Sequence, residues 1–215
     1  MKSLGLKIDL HVHTCYSYDA VTTLKEVGAY SKKRGLDGVA ITDHDTLLGA
    51  LRLIHKSKLI VIQGMEISAL GGHVLALNIT TPIPPKLSLS ETVQRIHEAG
   101  GIAVAAHPTF VYKSTLSRQV TSYDAIEVIN SAAIPFQLFR CLNRKLATRL
   151  NLPQTAGSDS HYAPEIGAAY TVVKADPDVD EIVQAIKGGR TLPLGKPIPW
   201  RVRLRRVALS LKRKI

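Results

Sequence analysis

The alternation of short β-type runs with helix-type stretches constrains this chain more than any other feature. Residues 6–10, 38–42, 59–62, 74–79, 102–106, 125–129, 155–156 and 170–173 read as strands, several of them apolar throughout. Between them, 23–33, 46–56, 90–99, 135–150 and 178–187 carry helical patterns. Thr23 and Glu26 form a capping-box signature at the first helix, and Gly35 follows it as a stop signal. Apolar strands separated by amphipathic helices imply parallel strands joined by crossovers. With about seven βα units, a barrel is favoured over an open sheet.

Composition narrows the class. The chain has 215 residues, 45% of them hydrophobic, so it can bury a core without covalent staples. Two cysteines, Cys15 and Cys141, make no disulfide scaffold and suit a reducing compartment. No apolar run is long enough to span a bilayer, and the N-terminus lacks the apolar core of a signal peptide, so a cytoplasmic location is expected. The net charge of +11 is unevenly spread. Residues 200–215 hold seven basic side chains and no acid, which leaves 21 basic against 17 acidic residues, or +4, in 1–199.

Eight histidines remain to be placed. His11 and His13 close the first strand, and Asp43-His44 the second. Glu66 follows the third and His73 opens the fourth. His107-Pro108 closes the strand at 102–106, and Asp159 and His161 follow the one at 155–156. In α/β barrels the C-terminal ends of the strands build the site, so residues dispersed over 151 positions would converge. His11-x-His13 and Asp159-x-His161 each put two ligand-type side chains on one face of extended chain. The set is nitrogen and oxygen without paired cysteines, which suits Zn, Mn or Fe, and it exceeds what one ion needs. Taken singly, His73 is as readily an ordinary strand-end histidine. His55 and His97 lie inside helical patterns and read as structural, Asp9 and Asp45 as supporting or capping groups as readily as ligands, and Cys15 as a small buried residue. Gly157-Ser158-Asp159-Ser160-His161 is no nucleophile elbow, and no glycine-rich dinucleotide or phosphate loop occurs.

These residues resemble the motifs of the polymerase and histidinol phosphatase (PHP) family. Asp9-Leu10-His11-Val12-His13-Thr14 with Ser17 and Asp19 is similar to its first motif, Ile41-Thr42-Asp43-His44-Asp45 to its second, and Gly64-Met65-Glu66-Ile67-Ser68 with His73 to its third. Ala106-His107-Pro108 and Gly157 to His161 resemble the remaining motifs, and 167–190 the C-terminal segment often attached to them. The resemblance implies a distorted (β/α)7 barrel over residues 1–192, with that segment at about 157–192. It implies two or three divalent ions (Mn, Zn or Fe) on nine ligands: His11, His13, Asp19, His44, Glu66, His73, His107, Asp159 and His161. One ion would take His11, His13, Glu66 and Asp159. A second would share Glu66 and add His73 and His107, and a third would use Asp19, His44 and His161. Ala20 stands where the family usually has glycine after the aspartate.

The resemblance further implies a metal-dependent phosphoesterase. Substrate would be hydrolysed by a metal-activated hydroxide, with Asp159 in the catalytic centre and His161 or His44 as proton donor to the leaving group. The expected substrate is a small phosphorylated molecule, a nucleotide or short oligonucleotide. A histidinol-phosphate-type phosphatase and a non-catalytic interaction module are the alternatives. Lys113, Arg118 and Arg140 are weak candidates for phosphate binding, with solvated surface charge the stronger reading. Residues 193–215 read as a Pro-rich joint and a basic amphipathic tail, helix or strand. The tail suits nucleic acid or an anionic membrane, or equally a terminal element covering the barrel with a solvated basic face. The sequence leaves the oligomeric state open.

Overall fold

The computed structural model describes residues 5–54, 59–111 and 122–213. Nine strands form one sheet that curls into a nearly closed, distorted barrel, in the order β7-β6-β5-β4-β3-β2-β1-β8-β9. They are β1 (Leu6–Val12), β2 (Gly38–Ile41), β3 (Ile60–Ala69), β4 (Gly72–Leu77), β5 (Ile102–Ala105), β6 (Ala125–Asn130), β7 (Gln154–Gly157), β8 (Ala169–Val173) and β9 (Thr191–Gly195). The helices are α1 (Leu24–Arg34), α2 (Leu48–Ile54), α3 (Leu89–Glu98), α4 (Pro108–Val111), α5 (Phe136–Leu150), α6 (Val179–Lys187) and α7 (Trp200–Arg213).

Local chemistry sets the element ends. At α1 the Thr23 hydroxyl accepts from Glu26 N, the Glu26 carboxylate accepts from Thr23 N, and Gly35 closes the helix in the left-handed region. α6 buries Ile182, Val183 and Ile186 in one cluster with Ile8, Leu10, Ile62, Leu75, Leu77 and Val104. Asn78, just past β4, bonds Asp180 of α6 at 2.8 Å, so α6 closes the end of the barrel where β4 finishes.

The all-parallel expectation needs correction. β1–β2, β2–β3, β5–β6 and β6–β7 are parallel, but β3–β4, β4–β5, β1–β8 and β8–β9 are antiparallel. Only Leu70 and Gly71 separate β3 from β4, far too few residues for a crossover, and Gly71 (φ 105°) makes the tight turn. β3 also runs further than expected, pairing with β2 over Ile60–Gln63 and then with β4 from Gly64 onward. Glu66 therefore lies inside a strand. Because β4 runs backwards, its first residues stand at the barrel end where the parallel strands finish. That is how His73, at a strand start, joins residues at strand ends.

Side chains and glycine complete the closure. Ala156 N donates to Thr171 Oγ1 at 2.8 Å, and Thr191 Oγ1 donates to Gln154 O at 2.8 Å, linking β7 to β8 and β9. A Cβ on Gly157 would run into His11 Cβ and stand 2.8 Å from Glu127 Oε1, so only glycine lets β7 approach β1 this closely. β9 is absent from the sequence expectation because Pro193 and Gly195 break its pattern. As an edge strand it tolerates the missing proline N–H, and the boundary expected after residue 192 falls inside it.

The tail is a helix, α7, and it is oriented unexpectedly. Arg203 is its buried residue, whereas Trp200 and Leu204 are about two-thirds exposed. Arg201 and Arg205 are exposed together with Trp200 and Leu204, so the helix turns neither a wholly basic nor a wholly apolar face to solvent. Arg203 fixes the helix by donating from Nε to Ile198 O (3.0 Å), Nη1 to Ala132 O (2.9 Å) and Nη2 to Ser131 O (2.8 Å). These bonds satisfy a buried guanidinium that would otherwise be costly. Among the described residues no helix is long and apolar enough to cross a membrane.

Candidate metal centre

At the strand-end face of the barrel, nine side chains converge in three interlocking groups: His11, His13, Glu66 and Asp159; Glu66, His73 and His107; and His13, Asp19, His44 and His161. Within each group the ligand atoms lie within 4.8 Å of one another. All nine residues named from the sequence motifs meet here, with His13 also reaching the third group. Glu66, 1% exposed, stands at the junction. Its Oε2 is 3.1 Å from both His11 Nε2 and His13 Nε2, while its Oε1 is 2.8 Å from His73 Nδ1 and 3.0 Å from His107 Nε2.

The first group has the shape of a coordination shell. His11 Nε2, His13 Nε2, Glu66 Oε2 and Asp159 Oδ1 are separated by 3.1, 3.1, 3.1, 3.3 and 3.5 Å along five of the six edges of a tetrahedron. A tetrahedral ion with ligands at roughly 2.0–2.1 Å requires edges of roughly 3.4 Å. The surroundings of three Nδ1 atoms suit this shell. His11 Nδ1 faces Glu127 Oε1 at 2.9 Å, His13 Nδ1 faces Ser17 Oγ at 3.3 Å, and His161 Nδ1 faces the Asp159 carbonyl at 3.1 Å. With each Nδ1–H donated outward, the three Nε2 lone pairs point into the cluster, the arrangement that metal-binding histidines require. Unprotonated rings and carboxylates pressed together this closely need a cation between them. The donor set and its spacing fit a multi-metal site.

Metal-free, the cluster balances its charge with protons. Burial lowers the His11 pKa, but Asp159, Glu127 and Glu66 outweigh it and hold the imidazole well above its ordinary value. Burial likewise opposes protonation of His107 and His161, and Glu66 and Asp19 respectively raise them. Burial raises Glu66 and Asp159, yet the histidines win and keep both carboxyls well below the usual carboxylate range. The same groups that hold protons would exchange them for metal.

A ring of supporting residues orients these side chains. Asp9 accepts from His11 N, Ser158 N and Gly167 N, so it ties loops together and does not face the cluster. Burial lifts its pKa to about 6. Asp45 accepts from Ser68 N in a similar role. Ala20 is fully buried without left-handed backbone, so the loop after Asp19 closes without the family's glycine. His107 (φ 30°) and Asp159 (φ 53°) are held in the left-handed region, a local strain typical of functional positions. His97 pairs with Asp124 at 2.7 Å, apart from the centre, and His55 lies outside the described residues. Lys113 and Arg118 also lie outside them, and Arg140 lines a hollow on α5 that contains none of the nine.

Sequence reading missed Glu127, Asn130 and Glu165. Glu127 orients the His11 ring and accepts from His107 N at 2.9 Å. Asn130 Nδ2 donates to both Glu127 Oε2 (3.0 Å) and Asp159 Oδ2 (3.1 Å). Glu165 accepts from His161 N at 2.9 Å and Tyr162 N at 3.2 Å. The signal for Glu127 was present: a carboxylate in the middle of the apolar run Ala125-Ile126-Glu127-Val128-Ile129 must find buried partners.

Comparison with known proteins supplies the family. A model described as the PHP domain matches residues 9–129, more than half of the chain, and one described as PHP-associated matches 142–191. The chain belongs to the PHP domain family. An uncharacterized protein of Methanocaldococcus jannaschii is 33% identical over 141 residues, covering 59% of this chain and 82% of that one. A probable phosphatase of Syntrophotalea carbinolica is 25% identical over 206 residues, covering 77% and 85% respectively. The PHP architecture recurs in the crystal structure of a two-domain Bacteroides vulgatus protein containing a predicted PHP-like metal-dependent phosphoesterase. That likeness has a TM-score of 0.75 at 18% identity and covers 95% of this chain and 69% of the other.

Proposed function

We propose that this PHP protein is a metal-dependent phosphoesterase, hydrolysing phosphate esters of nucleotides or short oligonucleotides. The observation that carries the reading is the division of Glu66: one carboxylate oxygen faces His11 and His13, the other His73 and His107. A carboxylate so placed is built to bridge two ions. The likeness to a probable phosphatase supports the same direction.

His11, His13, Glu66 and Asp159 would hold one ion, Glu66, His73 and His107 a second, and Asp19, His44 and His161, with His13 beside them, a third. Mn, Zn or Fe suits such a nitrogen-rich set. When bound, divalent ions neutralise phosphoryl oxygens and lower the pKa of water to make a nucleophile at neutral pH. The protein's own residues do the rest. Glu127 and Asn130 keep His11 and Asp159 aligned, so the centre needs little reorganisation during the reaction. His161 Nε2, 3.1 Å from Asp19 Oδ2 and at the open side of the cluster, is placed to give a proton to the leaving oxygen where no third ion takes it. His44 Nε2, 3.5 Å from the same carboxylate oxygen, is the second candidate. Both are proposed for general acid work on geometry.

The test is a panel of phosphate monoesters, nucleotides and short oligonucleotides assayed with Mn²⁺, Zn²⁺ and Fe²⁺, alongside elemental analysis of the purified protein. Turnover that falls by several orders of magnitude in His11→Ala and Asp159→Ala is expected. Full activity in either variant would refute the reading, and a stable protein that binds no metal would favour the interaction module.

A further inference from the structure

The metal cluster opens into a cavity of about 550 Å³ that α7 also lines. Asp19, Asp159 and His161 of the cluster line it, together with Arg206, Val207 and Leu211 of α7. Ile134, 45% exposed, faces the same space from the loop before α5. The volume is in the range that holds small organic ligands.

The two arginines of this wall differ. Arg203 spends its donors on the carbonyls of Ser131, Ala132 and Ile198, which fastens the helix to the rim. Ile198 N adds a bond to Ser131 O at 3.1 Å, and Ser131 Oγ one to Lys196 O at 2.8 Å. Arg206 is not consumed in this way. Its Nη1 reaches Glu165 Oε2 at 3.3 Å, a long contact to an oxygen that already accepts from His161 N and Tyr162 N, and about a quarter of its side chain is open at the cavity. A guanidinium has five donors in a fork suited to oxyanions. α7 thus presents one partly open cation, Arg206, flanked by Val207 and Leu211, to the cavity that Asp19, Asp159 and His161 also line, while Arg201 and Arg205 are exposed.

We propose that α7 is a wall of the substrate site, with Arg206 binding a second oxyanion of the substrate while its apolar or aromatic body lies against Val207, Leu211 and Ile134. This deepens the phosphoesterase reading and rests on it. The reacting phosphate sits over the cluster, and the preferred substrates carry one further anionic group, phosphate or carboxylate. Arg206 is a specificity-determining residue and takes no part in bond breaking.

Binding of non-hydrolysable probes tests this apart from turnover. Phenylphosphonate, 1,4-phenylenebisphosphonate and 4-carboxyphenylphosphonate are titrated calorimetrically into the Mn²⁺-loaded full chain and its Arg206→Gln and Arg206→Lys variants. The wild type should bind at least one two-anion probe tenfold or more tighter than phenylphosphonate, and the identity of that probe says whether phosphate or carboxylate is read. In Arg206→Gln the ratio should fall to near one. Arg206→Lys, which keeps the charge without the fork, should retain part of it, and serves alone if the glutamine variant does not fold. The rival role for Arg206 is that of a buttress of Glu165 and the His161 loop. All probes would then weaken by the same factor with the ratio unchanged, which would overturn the proposal. So would a wild type without preference. An ester panel showing no turnover would count against the phosphoesterase reading, while the probe ratio would still judge Arg206.

Discussion

At the scale of single residues, the centre depends on groups that touch no substrate. Glu127 accepts from the His11 ring and from His107 N, so it aims one ligand and anchors the backbone of another. Glu127→Gln should lower metal affinity by roughly 10–100-fold with the fold retained, since partners of this kind fix ring orientation and ligand basicity. Competition with a chromogenic chelator measures it, and unchanged affinity would show that His11 orients itself. The raised histidines set a pH dependence. His11, His107 and His161 are held above their ordinary values, so in the metal-free protein their protonated forms are favoured by their carboxylate partners and add stability. A raised histidine contributes fully below its unfolded value and loses that contribution as pH rises through its folded value. Metal must displace protons from these rings, so affinity should rise with pH for as long as they carry protons and level off once they are deprotonated, with protons released on binding. Calorimetry in buffers of different ionisation enthalpy counts them, and a pH-independent affinity would contradict the assignment. Why these residue types cluster was legible in His11-x-His13 and Asp159-x-His161, whose spacing alone puts side chains together. Glu127 was not read because a single charge inside an apolar strand reveals its partners only in three dimensions.

At the scale of elements, the strands divide into those that local pattern reveals and those that partners create. The capping box at Thr23 and the apolar faces of α3 and α6 follow from spacing within one segment. Ile186, fully buried where α6 closes the barrel, illustrates the energetics. Ile186→Ala should destabilise by about 2–5 kcal/mol through lost burial and the cavity left behind. Chemical denaturation reads this out, and a cost under 1 kcal/mol would mean the site collapses around the smaller side chain. β9 and the reversed β4 could not be read in this way. β9 exists because β8 offers it an edge, and β4 is antiparallel because two residues cannot cross a sheet. The direction of α7 was hidden for a related reason. Its apolar stripe argued for burial, but the residue buried is Arg203, held by three backbone carbonyls that no periodicity reveals.

At the scale of the whole molecule, the barrel gathers the carboxylate and imidazole ligand set on its strand-end face over a buried apolar cluster. Ions that bind only the folded state should therefore stabilise it by mass action. Exhaustive chelation should lower Tm by several degrees, and Mn²⁺ or Zn²⁺ should restore it in a concentration-dependent way, as differential scanning fluorimetry would show. A Tm indifferent to chelation and to added ion would mean that the cluster is not a metal site. Local sequence alone specifies the alternating α/β class, the placement of most ligand-type residues near strand ends and the concentration of charge after residue 200, because each depends on neighbours within a few positions. Tertiary structure alone decided that Glu66 divides its oxygens between two sets of histidines, that Gly157 brings β7 against His11, and that Arg206 turns toward the site. Those outcomes depend on which distant segments meet, and one-dimensional periodicity carries no information about the partner on the other side of a contact.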